Sequence, residues 1–389
     1  MFRLPSVPGW PSSEARRSWL DVGFSIVLLL FSAMALTGCK TLSHGEGALK
    51  PRAWVAEPHE LDEDETLYRN IGATYQPTAT KFDWARHSLK LFFGGYPGKD
   101  GLPDHHVMDE ETANQQFRQA LLQPDSLTWF GHGTFLINIG GKRILTDPTI
   151  ARRIGLSPAA IGRLVPTLPN WRDPILGLDR LDAVLITHAD YDHLDLTSLK
   201  MLRQKFPRMQ IIVPEGTARM MRAIKHTPIN EVAWYDRRQL GAVGIDFVPA
   251  IHGVRRPPFD LDTALWGGYV LSHNGRKLYL SGDIALGSVY ESIARRYGPV
   301  DVAIVPVGGY QPQHFNRAFH TTPGGVIGIA RKMGARKIIA SHWGTYALSE
   351  ETGRTQKAAF QAAMASQKGR SEGVIFKIGE SRPLWSPGQ

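Results

Sequence analysis

Thr187-His188-Ala189-Asp190-Tyr191-Asp192-His193-Leu194-Asp195 places two histidines and three aspartates within eight residues, 188–195. Immediately before it, Ala183-Val184-Leu185-Ile186-Thr187 has the composition of a buried strand, so the polar cluster starts where a strand stops. Successive strand residues point to opposite faces, and bringing these side chains together therefore needs a tight loop at His188. An exposed polar loop would account for this segment by itself, but the same habit returns further along the chain. Residues 244–251 alternate toward His252, residues 268–272 and 277–281 form a hairpin through Asn274-Gly275 that delivers Asp283, and residues 337–341 end at His342. Burying so many imidazoles and carboxylates without a cation costs several kcal/mol per uncompensated charge. A metal centre is the reading that accounts for all of them. The single cysteine, Cys39, excludes both a thiolate cage and an internal disulfide, which leaves histidine and carboxylate as the ligands.

Outward from the cluster, strands are expected over 127–130, 134–139 and 143–146, the last two joined by Gly140-Gly141, and over 300–306. Helices are expected over 197–206, 217–224 and 288–297, the last closed by Gly298 as a residue in the left-handed region, with another opening at Thr322-Pro323. Alternating strands and helices, with hairpins between some strand pairs, predict an α/β protein of layered sheets covered by helices.

His188-x-Asp190-x-Asp192-His193 resembles the His-x-His-x-Asp-His signature of the metallo-β-lactamase superfamily. Its surroundings are similar to the branch containing the N-acylphosphatidylethanolamine-hydrolysing phospholipase D. The matching stretches include Thr128-Trp129-Phe130-Gly131-His132-Gly133-Thr134, Leu145-Thr146-Asp147-Pro148, Leu265-Trp266-Gly267, Ser281-Gly282-Asp283 and His342-Trp343-Gly344-Thr345, in order over about 125–350. The resemblance implies an αββα sandwich, two mixed β-sheets flanked by helices, with the site at one edge of both sheets. It implies two divalent metal ions, zinc foremost. His188, Asp190 and His252 would hold the first and Asp192, His193 and His342 the second, with Asp283 bridging and a hydroxide shared by the ions as nucleophile. Asp283 and His320 would be catalytic, and Tyr191 and His320 would meet the substrate. His132 and Asp147 are read as supporting residues. The departure from the family is Asp190, where the pattern has histidine. A third carboxylate favours a harder ion, manganese or iron.

The N-terminus reads as an address. Arg16-Arg17 precede an apolar stretch over 22–38, and Leu36-Thr37-Gly38-Cys39 resembles a bacterial lipobox. The expectation is a lipoprotein signal peptide over 1–38, a tether over 39–75 and a hydrolase domain over 76–389. Lipidated Cys39 would hold that domain to the membrane on the periplasmic side of the cell envelope, with Lys40 pointing to the outer membrane. Arg16-Arg17-Ser18-Trp19-Leu20 loosely matches a twin-arginine export pattern. Phe92-Phe93 is read as the buried start of the domain, with a membrane-facing patch as the alternative. The formal net charge is +9, yet no dense basic block with interleaved aromatics appears, so no nucleic-acid partner is expected. The first functional expectation is hydrolysis of a lipid or lipid-like phosphodiester. A lactonase or cyclic-ester hydrolase is the second, and a non-catalytic envelope lipoprotein on the same fold the third.

Overall fold

Ser126–Trp129 (β1), Phe135–Ile139 (β2) and Lys142–Thr146 (β3) form an antiparallel meander whose second turn is Gly140-Gly141. This computed structural model describes residues 59–60, 66–155, 160–165, 172–224, 228–256, 260–367 and 369–385; the expected export segment and Cys39 lie outside them. From β3 the pairing turns parallel through Ala183–Leu185 (β4), Gln210–Pro214 (β5) and Ile229–Val232 (β6). A second sheet repeats this plan. Arg237–Leu240 (β7), Val243–Pro249 (β8), Gly267–His273 (β9) and Arg276–Leu280 (β10) are antiparallel neighbours. Val302–Pro306 (β11), Lys337–Ser341 (β12) and Glu372–Val374 (β13) then extend it in parallel. Ser381–Pro383 (β14) returns to pair with β1, so each sheet has seven strands, half meander and half crossover.

Strands β1, β2, β8 and β11 are buried along their whole length. That pattern requires cover on both faces, one from the other sheet and one from helices. Lys81–Phe93 (α1) and Glu110–Leu122 (α2) precede the sheets, and α2 packs on β1 and β14. Leu196–Lys205 (α3) crosses between β4 and β5, while Val289–Tyr297 (α4) packs on β8. Pro323–Lys332 (α5) covers β11, and Gly353–Ser366 (α6) lies against α5. The phenol of Tyr269, on β9, crosses the sandwich to donate to the carbonyl of Ile186 at 2.7 Å. The fold is the expected α/β sandwich of two mixed sheets.

Four expectations are corrected. Residues 217–224 form only a short 3-10 turn, Ala218–Met221, because Thr217 makes no side-chain cap and the amide of Ala218 is taken by Glu231. Gly298 is extended rather than left-handed (φ −69°); glycine is needed there because a Cβ would stand 2.6 Å from the Ala294 carbonyl. The tether ends before residue 75: Tyr68 is buried, its amide bonds to the Asp262 carbonyl, and Thr74 bonds to Leu286. Phe93 is 71% exposed rather than buried. Among the described residues no helix is long and apolar enough to cross a membrane.

Candidate metal centre

The ligand-bearing loop starts directly after β4. Thr187 donates its hydroxyl to Asp147 Oδ2 (2.7 Å), so His188 Nδ1, 3.0 Å from that hydroxyl oxygen, must be the donor to it. His193 Nδ1 donates to the same oxygen, Asp147 Oδ2 (2.9 Å), while Asp147 Oδ1 accepts from the Thr187 amide. His252, past the end of β8, gives its Nδ1 proton to the Phe319 carbonyl (2.9 Å). Each of these bonds fixes the tautomer and leaves a lone pair on Nε2. The Nε2 atoms of His188, His193, His252 and His342 are all buried without a hydrogen-bond partner. Buried unpaired imidazole nitrogens turned toward carboxylates fit a metal-ligand set.

The carboxylates complete two groups. Asp190 Oδ2 is 3.7 Å from Nε2 of both His188 and His252. Asp192 Oδ2 is 3.6 Å from His193 Nε2 and 3.5 Å from His342 Nε2. Asp283 Oδ2 faces both groups, 3.0 Å from His342, 3.3 Å from His193 and 3.9 Å from His188. Ligand atoms set tetrahedrally at about 2.0–2.1 Å from an ion are roughly 3.4 Å apart, the spacing seen here. All seven expected ligands are thus brought together. Asp195 is not among them; its carboxylate caps α3 by accepting from the amides of Thr197 and Ser198.

Burial works against ionisation of Asp192 and Asp283, but the neighbouring imidazoles outweigh it and hold both carboxyls well below the ordinary range. Asp190 is lowered too, by His188 and His252 against its burial. Burial likewise opposes protonation of His342, yet Asp283 and Asp192 push it up to about 9, and Asp283 raises His193 well above its usual value. Without a metal, protons take the place of the cations. A metal ion must displace them, so its apparent affinity falls as the pH drops below about 9. Loading near pH 7.5 is expected to release about two protons per chain, measured by titration calorimetry in buffers of different ionisation enthalpy. Buffer-independent heats would contradict this.

The loops around the ligands are held in costly conformations. His132, Asp147 and His342 have φ of 52°, 35° and 59°, positions that cost a non-glycine residue of order 1–3 kcal/mol each. The His132 carbonyl accepts from Trp129 Nε1 and from the His342 amide, and its own amide donates to Thr345 Oγ1. His132 Nε2 lies 2.7 Å from Asp192 Oδ2 and orients that ligand. Glycine is required at 282 (φ 63°), because a Cβ would strike the Gly267 carbonyl and Thr187 where the chain turns to present Asp283.

Two further residues support the site and left no mark in the sequence. Arg256, buried, donates to the carbonyls of Ala189 and Leu194 and lies 4.2 Å over the Tyr191 ring, closing the ligand loop. Asn70, in the stretch expected to be tether, bonds both backbone groups of His252. At the open side stands His320, 16% exposed, with Nε2 3.9 Å from Asp283 Oδ2 and Nδ1 buried without a partner.

The profile of the β-lactamase superfamily domain matches residues 142–343, more than half of the chain and all seven ligands. The chain belongs to the metallo-β-lactamase superfamily. It is 29% identical over 232 residues to N-acyl-phosphatidylethanolamine-hydrolyzing phospholipase D 1 of Caenorhabditis elegans, a match spanning 56% of this chain and 64% of that protein, less than two thirds of its length. It is 26% identical over 240 residues to a metal-dependent hydrolase of Rubrobacter xylanophilus, covering 59% of this chain and 85% of that one. The fold is shared with a possible metal-dependent hydrolase of Veillonella parvula (TM-score 0.55, 18% identity, 67% of this chain and 100% of that one).

Proposed function

We propose that the protein is a two-metal phosphodiesterase acting on a lipid or lipid-like substrate at the bacterial envelope, anchored through acylated Cys39. The observation that carries this reading is the pair of His/Asp groups sharing Asp283 Oδ2, with His320 and Tyr191 beside them. The likeness to the phospholipase relative supports the lipid substrate. His188, Asp190 and His252 would hold one ion and Asp192, His193 and His342 the other. Bound divalent ions at these groups would acidify a water and polarise the phosphoryl oxygen. Asp147, Thr187 and the Phe319 carbonyl keep the imidazole lone pairs facing inward. Burial lowers His320 to about 3, and nearby cations would lower it further, so it stays neutral near pH 7. It therefore serves as an N–H donor to a phosphoryl oxygen rather than as a fixed cation. Tyr191, clamped under Arg256, lines the approach.

Incubation with N-acylphosphatidylethanolamine, beside a panel of lactones, tests this reading. Release of N-acylethanolamine and phosphatidic acid is expected, abolished by chelator. Opening of lactones without phosphodiester cleavage would replace it with the cyclic-ester reading. His320→Ala is expected to lower kcat about 10²–10³-fold while metal content stays the same. Metal loss on that substitution would move His320 from substrate contact to ligand.

A further inference from the structure

The outward face of α1 carries Phe82, Arg86, Leu89 and Phe93, spaced by four, three and four residues and so aligned in one stripe. Phe82 is 75%, Leu89 43% and Phe93 71% exposed, and Arg86 is exposed among them. Single exposed apolar side chains are ordinary. Here, however, three of the five large hydrophobic residues exposed among the described residues fall on one helix face. The opposite face of α1 reaches toward the metal centre. Trp84 meets Phe315 edge-on at 4.7 Å, and the Arg255 guanidinium lies 5.9 Å from the Trp84 ring. The backbone N–H of Arg255 donates to Asp190 Oδ1. One side chain therefore separates the helix from a ligand residue.

We infer that α1 is an interfacial helix that seats this domain on an anionic lipid surface, with the metal centre at the edge of that contact. Charge favours this occupant. Arg86 is the exposed cation within the stripe, Lys90 being paired with Glu350 at 2.6 Å, and the whole chain is +9. Apolar side chains with a cation between them match the boundary of acyl chains and phosphates. A second copy of the chain packed stripe to stripe about a two-fold axis would instead bring Arg86 against its own counterpart. In sequence the helix lies between Cys39 and the first strand of the two sheets, so an acylated N-terminus and the stripe would engage the same membrane. The value of this orientation to catalysis rests on the lipid-phosphodiester reading. The docking itself does not.

The test uses the full chain in vesicles with and without anionic phospholipid, with a nitroxide label placed by Phe82→Cys, Phe93→Cys or, as a control on α2, Arg118→Cys. Labels at 82 and 93 are expected to become about tenfold less accessible to a water-soluble nickel complex on anionic vesicles, and the label at 118 to stay unchanged. Equal water access at all three positions would overturn the inference. So would spin–spin broadening at 82 without vesicles, the mark of a second copy. These readouts need no turnover, so they separate failure of docking from failure of the proposed activity. Where activity is present, Phe82→Glu with Phe93→Glu should slow cleavage of vesicle lipid at least about tenfold and leave bis(p-nitrophenyl) phosphate hydrolysis unchanged. An equal loss on both substrates would count against it.

Discussion

Asp283→Asn is expected to lower turnover at least about 10³-fold while the fold and its thermal midpoint are nearly preserved. The argument is geometric. One oxygen of Asp283 lies within 3.9 Å of the imidazoles of His188, His193, His320 and His342, so among the described residues it is the only carboxylate oxygen facing both ligand groups. The amide keeps the shape of the side chain but removes the charge between two cations. Two positive ions would then repel across a neutral group, in a site where Asp283 itself is only 4% exposed and screening is weak. Steady-state kinetics on a soluble phosphodiester, with metal content and circular dichroism on the same sample, read this out. Retention of more than about a tenth of the activity would contradict the bridging role.

Asp190→His is expected to shift metal preference toward zinc by about 10–100-fold relative to manganese. Asp190 reaches the first group, but it does so with a charge: Oδ2 faces His188 and His252 while Oδ1 accepts the Arg255 amide. Three carboxylates therefore balance the two sites. That surplus anion suits a hard ion and leaves less positive charge to acidify water. Histidine at 190 would remove the charge and the bond to Arg255, so the ligand loop should loosen slightly as zinc preference rises. Competition titrations of apo protein with zinc and manganese measure the ratio. An unchanged ratio would mean that Asp190 does not set metal identity.

The ligands were legible because each stands at the end of a strand whose apolar run is strong enough to locate it. His188 follows β4, His252 follows β8 and His342 follows β12. What surrounds them was hidden for a physical reason: its partners are distant in sequence. Asn70 meets His252 182 residues away, and Arg256 grips carbonyls 62 and 67 residues back. No local pattern encodes such contacts. The edge strands escaped for another reason. Ile-Asn-Glu-Val in β6 and Arg-Arg-Gln-Leu in β7 carry no alternation, because an edge strand is open to solvent. At Phe93 apolar composition predicts burial, whereas its helix turns that side chain outward.

The central claim is that these seven side chains form a two-metal centre. The most direct test is elemental analysis of the full chain purified without added metal or chelator, normalised to protein by amino-acid analysis. The account predicts about two divalent transition-metal ions per chain, falling to near zero for a variant lacking both Asp283 and His193. Folded wild-type protein with no bound ion, and no uptake on addition of zinc, manganese or iron, would contradict it.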